Sequence, residues 1–289
     1  MSMAVSHSTA RHGHQRHIVY HVLVCAFALL MLYPIAWMFF SSFKPTNTVF
    51  STAGQLIPST WTLDNYVHGF AGFSGVSFWR YLGNSLFIAT TATVGTVASS
   101  AIVAYALKRL HFHGRKVLFV AMMITMMLPA QILLVPQYLW YQKLGWTNSY
   151  MPLIVPYCFA IQGFFVYLIM NFIDGIPLSL DEAAKLDGCS YYGIFFRVIL
   201  PLLKPALVTS FIFSFMWRWD DFLSALMYVS DTEKYPVALA LKLFSDPGST
   251  SDYGAMFAMC CVSLIPSILI FLFFQRYLVN GVSTSGLKG

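Results

Sequence analysis

The stretch Ile176-Pro-Leu-Ser-Leu-Asp-Glu-Ala-Ala-Lys-Leu-Asp-Gly188, running on to Ile199-Leu-Pro201, decides how this chain is read. It is a short polar interval between two long apolar ones. Ser179 stands three residues before Glu182, the spacing of a capping box, so a helix is expected to start here. Ala183, Ala184, Lys185 and Leu186 favour helix, and Gly188 is the residue type expected just past its end. Ser190 suits the N-cap of a second short helix, Tyr191 to Val198, that stops before Pro201. The expected shape is helix, sharp turn, helix, carrying Asp181, Glu182, Lys185 and Asp187. Such a compact charged loop fits a groove on another protein. Small Ala183 and Ala184 permit close approach, Glu182 offers a carboxylate, and Gly188 allows a turn that a Cβ would hinder.

Outward from this loop the chain is apolar. With 58% hydrophobic and 10% charged residues, it is far from a soluble domain, where about 25% of residues are charged. Six spans of membrane length are expected: Ile18 to Phe40, Asn84 to about Leu107, Val117 to about Trp140, Leu153 to about Phe172, Pro205 to about Val229 and Gly254 to about Phe274. The second is rich in Thr, Ser, Ala and Gly, so it belongs inside a bundle rather than against lipid. The third and fourth contain Pro129, Pro136 and Pro156, whose freed carbonyls need protein or a wet cavity. The first span is too long for a signal-peptide core and lacks a small-residue cleavage site, so it is expected to be retained.

Charge sets the orientation. Lys108, Arg109, Arg115 and Lys116 form a short loop without an acid, which the positive-inside rule assigns to the cytoplasm. The tail at 1–17, with Arg11, Arg16 and His7, His12, His14 and His17, falls on the same side, as does the C-terminus. The formal charge of +6 is accounted for in this way, without nucleic acid as a partner. Cys25, Cys158, Cys260 and Cys261 lie in apolar segments and Cys189 in the polar loop. Their spacing matches neither a metal site nor a disulfide framework.

Glu182-Ala183-Ala184, then Gly188, then Ile199-Leu200-Pro201 resembles the EAA signature of the membrane subunits of ABC importers. Pro201-Leu-Leu-Lys-Pro205, Trp219-Asp-Asp-Phe222, the segment Pro58 to Tyr66 and the tail Gln275 to Gly281 resemble the maltose-type carbohydrate branch. The resemblance runs from the first span onward and implies an all-α integral membrane protein with the type I importer permease fold, six transmembrane helices and both termini cytoplasmic. It implies a transmembrane domain at 18–274 with an ATPase-coupling loop at 174–204, followed by a C-terminal tail at 275–289 that reaches the ATPase subunits. Glu182, Ala183, Ala184, Asp187 and Gly188 would carry the coupling. The implied partners are a second permease chain, an ATPase dimer and an external solute-binding protein, in a bacterial inner membrane.

The sequence contains no GxxxxGK[ST] loop, so ATP and magnesium would belong to the partner ATPase, and the chain itself would be neither an enzyme nor a cofactor carrier. The expected cargo is a sugar or oligosaccharide. Alternatives are a polyamine, an amino acid, a glycerol phosphodiester, or a stand-alone secondary transporter, the last disfavoured by the absence of an internal repeat. Met216-Trp-Arg-Trp-Asp-Asp-Phe222 is the polar exception inside a span. Counted from Pro205, Arg218 lies roughly 20 Å along the helix, where an Arg facing lipid is costly. Either it pairs with Asp221 at i,i+3, or it lines a substrate path with Trp219, Asp220 and Asp221, where it would suit an anionic glycan.

Overall fold

The structure, a computed structural model, describes residues 8–73, 75–245 and 251–286. In chain order the helices are α1 (Ser8–Ser41), α2 (Asp64–Ala71), α3 (Phe78–Arg109), α4 (Arg115–Met127), α5 (Ala130–Lys143), α6 (Met151–Ile154) and α7 (Gly163–Asp174). There follow α8 (Leu178–Leu186), α9 (Tyr191–Ile194), α10 (Leu200–Leu202), α11 (Lys204–Trp219), α12 (Phe222–Tyr228), α13 (Val237–Ala240) and α14 (Tyr253–Gly286). Among the described residues there is no strand. Four helical segments among the described residues are long and apolar enough to cross a membrane: Tyr20–Ser41, Phe78–Arg109, Met151–Asp174 and Tyr253–Gln275. Two bent pairs, Arg115–Met127 with Gln131–Lys143 and Tyr191–Leu202 with Lys204–Trp219, bring the number to six if each counts as one span. The outer helices reach past the expected spans, α1 beginning at Ser8 and α14 ending at Gly286. Residues 1–7 and 287–289 of the two expected tails lie outside the described residues.

The chain divides into two compact units, Met1–Phe70 with Phe244–Val262 and Ala71–Leu243 with Ser263–Gly289. In the first, buried Asn65 donates to the carbonyls of Ser42 (2.8 Å) and Lys44 (2.7 Å). The buried ammonium of Lys44 donates in turn to Thr52 O (3.0 Å) and Gln55 O (2.6 Å). Burial lowers the Lys44 pKa from its ordinary value, and the two carbonyls replace part of the lost hydration.

The second unit is organised on α3. Ala89, Ala92, Thr93, Thr96, Ser100, Ala101 and Ala104 form a buried stripe at helical spacing. It faces α7 and α11, and α11 contributes buried Ala206, Thr209, Ser210 and Ser214. Small side chains bring these backbones close, as the composition of the second span leads one to expect. A Cβ on Gly95 would sit 2.5 Å from Cys158 Sγ, so this glycine lets the chain at Val155–Phe159 lie against α3.

The fourth span is not one helix. After α6 the chain tightens into a 3₁₀ turn at Val155–Phe159, and Ala160 takes φ +52° before α7 begins. Pro156 cannot donate into a helix, and the freed backbone is met by protein. Ser99 Oγ accepts from Ala160 N–H (3.0 Å) and donates to Gly95 O (2.7 Å). Near the other end of α3, Asn84 donates to the carbonyls of Glu233 (2.8 Å) and Tyr235 (3.0 Å), fixing the loop after α12.

Candidate coupling site

The polar loop folds as α8, a turn, and α9. The expected capping box does not form. Pro177, at φ −58° and ψ 136°, is the N-cap of α8, and no side chain caps that end. Proline has no N–H to satisfy and its φ suits a helix entry, so the helix begins directly after it and Ser179 already lies inside. The other end matches its sequence closely. Gly188 takes φ +81°, its N–H donates to Lys185 O (3.0 Å), and Cys189 N–H donates to Ala184 O (2.9 Å). These two bonds make a Schellman motif, and Ala184 and Cys189 both belong to one apolar cluster. Ser190 then accepts from Gly193 N–H and caps α9 (3.2 Å).

The second helix does not stop before Pro201, as the sequence suggests. After Ile194 it widens into a π turn at Phe195–Ile199, where Leu200 N–H donates to Phe195 O, and α10 then carries Pro201. In an α-helix the ring of Pro201 would collide with the carbonyl four residues back. A π turn just before the proline relieves that conflict, and the helix continues.

One face of α8 is buried and the other bare. Asp181 and Ala184 point inward, while Glu182, Ala183, Lys185, Leu186, Asp187 and Gly188 are exposed. Ala184 therefore packs against the chain's own core, in one cluster with Tyr105, Ile173, Ile194 and Phe195. On the bare side Leu178, Glu182 and Leu186 follow one another at i,i+4. Leu186 is 90% exposed, and Tyr192 on α9 is equally unpartnered by the core.

What anchors α8 was missed in the sequence. Arg109, at the last turn of α3, sends Nη2 to the carbonyls of Ile173 (3.2 Å) and Ile176 (2.5 Å) and sets Nε 3.5 Å from Asp181 Oδ2. Its side chain is 6% exposed and that of Asp181 8%, so this is a buried ion pair. Asp181 Oδ1 has no hydrogen-bond partner among the described residues. Beside it Lys108 Nζ meets Asp174 Oδ2 at 2.6 Å, and Tyr105 Oη donates to Tyr191 O at 3.1 Å. The signal was present in the sequence: two basic residues at the end of one span, and acids on the loop expected at the same end of the bundle.

The residues around Arg218 form a second polar cluster. Arg218 Nη1 lies 3.1 Å from Asp221 Oδ2, and its Cζ sits 4.1 Å above the centre of the Tyr157 ring. Asp221 also accepts from Ser224 N–H (3.1 Å) and so caps α12. The side chains of Arg218 and Asp221 are 10% and 18% exposed. Trp219 is buried, stacked on Phe215, and donates Nε1–H to Ser263 O (3.0 Å), which leaves no free ring face for a sugar. Asp220 is exposed, and exposed Trp217 rests on Phe164 and Phe165.

The family described as "Binding-protein-dependent transport system inner membrane component" matches residues 97–284, well over half the chain, including the polar loop. The chain belongs to this family. The permease is 35% identical over 268 residues to the "Probable ABC transporter permease protein YurM" of Bacillus subtilis, covering 93% of this chain and 87% of that one. It is 36% identical over 272 residues to the "Trehalose transport system permease protein SugB" of Mycobacterium tuberculosis, covering 94% and 96%. Its fold matches a chain from the crystal structure of a bacterial ABC transporter involved in the import of the acidic polysaccharide alginate. The TM-score is 0.80 at 27% identity, over 96% of this permease and 99% of that chain. The loop and its α3 anchor are thus features of an inner-membrane permease subunit.

Proposed function

We propose that this permease is one of two membrane subunits of an ATP-driven importer for a sugar or oligosaccharide, and that α8 is where an ATPase subunit docks. The carbohydrate assignment draws its support from relatives named for trehalose and alginate transport. The observation that carries the docking role is the division of α8 into two faces. Asp181 and Ala184 lock it to the core, and Leu178, Glu182 and Leu186 are left outside with nothing to pack on. Glu182 supplies charge, Ala183 close approach, and Asp187 with Gly188 the sharp exit. Ala184 acts from behind, as packing. ATP and magnesium would be held by the ATPase partners, a second permease chain would complete the pathway, and a solute-binding protein would deliver cargo from outside.

Because Arg109 and Asp181 fasten α8 to the end of α3, a force applied to α8 reaches the central span directly. Closure of two ATPase subunits would then rock the spans between their inward-open and outward-open arrangements. The same reading puts the Arg218–Asp221 pair in the wall of the route with Asp220 beside it, supported by its depth along α11 and by Arg218 Nε, which has no hydrogen-bond partner among the described residues. The deciding experiment is purification of the chain from its native membrane under mild conditions. Co-purification of an ATPase, a second permease and a sugar-loaded binding protein is the expected result. Solute uptake by the chain alone, driven by an ion gradient, would overturn the proposal.

A further inference from the structure

Three cations surround a cavity at the end of the bundle that carries α8. The cavity, about 360 Å³, lies between the last turn of α3 (Leu107, Lys108), the first turns of α4 (Arg115, Lys116, Phe119, Val120) and Met170 of α7. Of its charges only Lys108 is neutralised, by Asp174. The Arg115 side chain makes a single hydrogen bond, from Nη1 to Leu110 O (3.3 Å), and the Lys116 side chain makes none among the described residues. Arg109 faces away, toward Asp181. The site therefore holds two uncompensated positive charges, with exposed His111 and His113 in the adjoining loop.

The rest of the lining is apolar and runs into more of the same. Val117, Leu118, Val120 and Ile124, the next residues along α4, are all more than half exposed. A ligand that fits both parts must carry an anionic phosphate at one end and hydrocarbon at the other. We propose that this cavity is a binding site for an anionic phospholipid, with the phosphodiester between Arg115 and Lys116 and an acyl chain along Phe119, Val120 and Met170. Basic pockets between spans at a membrane surface recognise such headgroups by the field of their cations. Free phosphate would gain nothing from the apolar wall. The site lies beside Arg109, which anchors α8 through Asp181, so lipid bound here would brace the end of α3.

The inference requires only that the chain spans a membrane, and its test reads lipid contact rather than transport, so it stands or falls apart from the importer reading. The test places the full-length chain, in the complex with which it purifies, in phosphatidylcholine nanodiscs. Phosphatidylglycerol or phosphatidylcholine bearing a diazirine near the headgroup end of one acyl chain is added and crosslinked by light. Phosphatidylglycerol is expected to label residues 107–120 and Met170 in clear preference to phosphatidylcholine. Each cation contributes about fivefold, so Arg115→Gln with Lys116→Gln should lower labelling about thirtyfold and leave phosphatidylcholine labelling unchanged. Arg115→Lys with Lys116→Arg should keep the preference, which separates loss of charge from loss of fold. Equal labelling by the two lipids, displacement of the label by millimolar inorganic phosphate, or a photocrosslinker at Val120 capturing another subunit in place of lipid would each overturn it.

Discussion

Replacing Asp181 with Ala tests how much of the permease's coupling rests on one buried pair. The change leaves the Arg109 guanidinium, 6% exposed, without its carboxylate. Breaking a buried pair by removing one member costs about 3–5 kcal/mol. Arg109 keeps its two bonds to Ile173 O and Ile176 O, so the lower end, about 3 kcal/mol, applies. That energy favours local release of α8 from α3 by roughly a hundredfold. Amide hydrogen exchange should therefore quicken by about that factor in 178–188 and much less along the small-residue stripe of α3. ATP hydrolysis stimulated by loaded binding protein should fall while the basal rate persists. Arg109→Met should be worse, because the two carbonyls also lose their donor. The double change should cost at least about 1 kcal/mol less than the sum of the single ones. Unchanged exchange in 178–188 together with normal stimulation in both single variants would refute the anchoring argument.

Glu182→Lys reverses the charge on the bare face and should abolish stimulated hydrolysis while leaving the chain's own fold, followed by exchange, intact; retained stimulation would end the docking role. Gly188→Val forces a β-branched residue to φ +81°, at about 1–2 kcal/mol. Its effect should appear as lowered exchange protection confined to 184–190, since a Cβ there meets open space. In a background without native cysteines, Tyr192→Cys should react only with reagents admitted to the cytoplasm and Glu233→Cys only with external ones, and the reverse would invert the orientation. If the Arg218–Asp221 pair walls the route, Arg218→Gln should leave the complex assembled and impair an acidic glycan much more than a neutral one of similar size. Lost assembly, restored by Asp221→Asn, or equal loss for both glycans would make the pair structural and end that role.

Much of this architecture was legible in the chain because it rests on local chemistry. The apolar spans, the small-residue stripe, the cap at Ser190 and the left-handed turn at Gly188 each follow from residue type and spacing within a few positions. Two local signals misled. Ser179 and Glu182 have capping-box spacing, but Pro177 fixes the helix start two residues earlier than Ser179. Pro201 reads as a stop, yet a widened turn lets the helix pass it. The anchor of α8 was hidden for another reason. Arg109 and Asp181 stand far apart in sequence, and the charge rule that placed Arg109 in a basic loop says where it sits, not what it touches. Ala184, named for close approach to a partner, turned inward because the phase of α8 is set by its neighbours.

The π turn at Phe195–Ile199 bears on helical phase. Such a turn takes up one residue more than an α-turn would, and each α-helical residue advances the azimuth by about 100°. Were the segment regular α-helix, α8 and α9 would be swivelled by that amount against α11. The compass bearing of Leu178, Glu182 and Leu186 is therefore written outside α8, in a single backbone irregularity next to Pro201. A one-residue deletion within 195–199, paired with Pro201→Ala, would restore an ordinary helix and keep that bearing. Either change alone would trade bearing against strain.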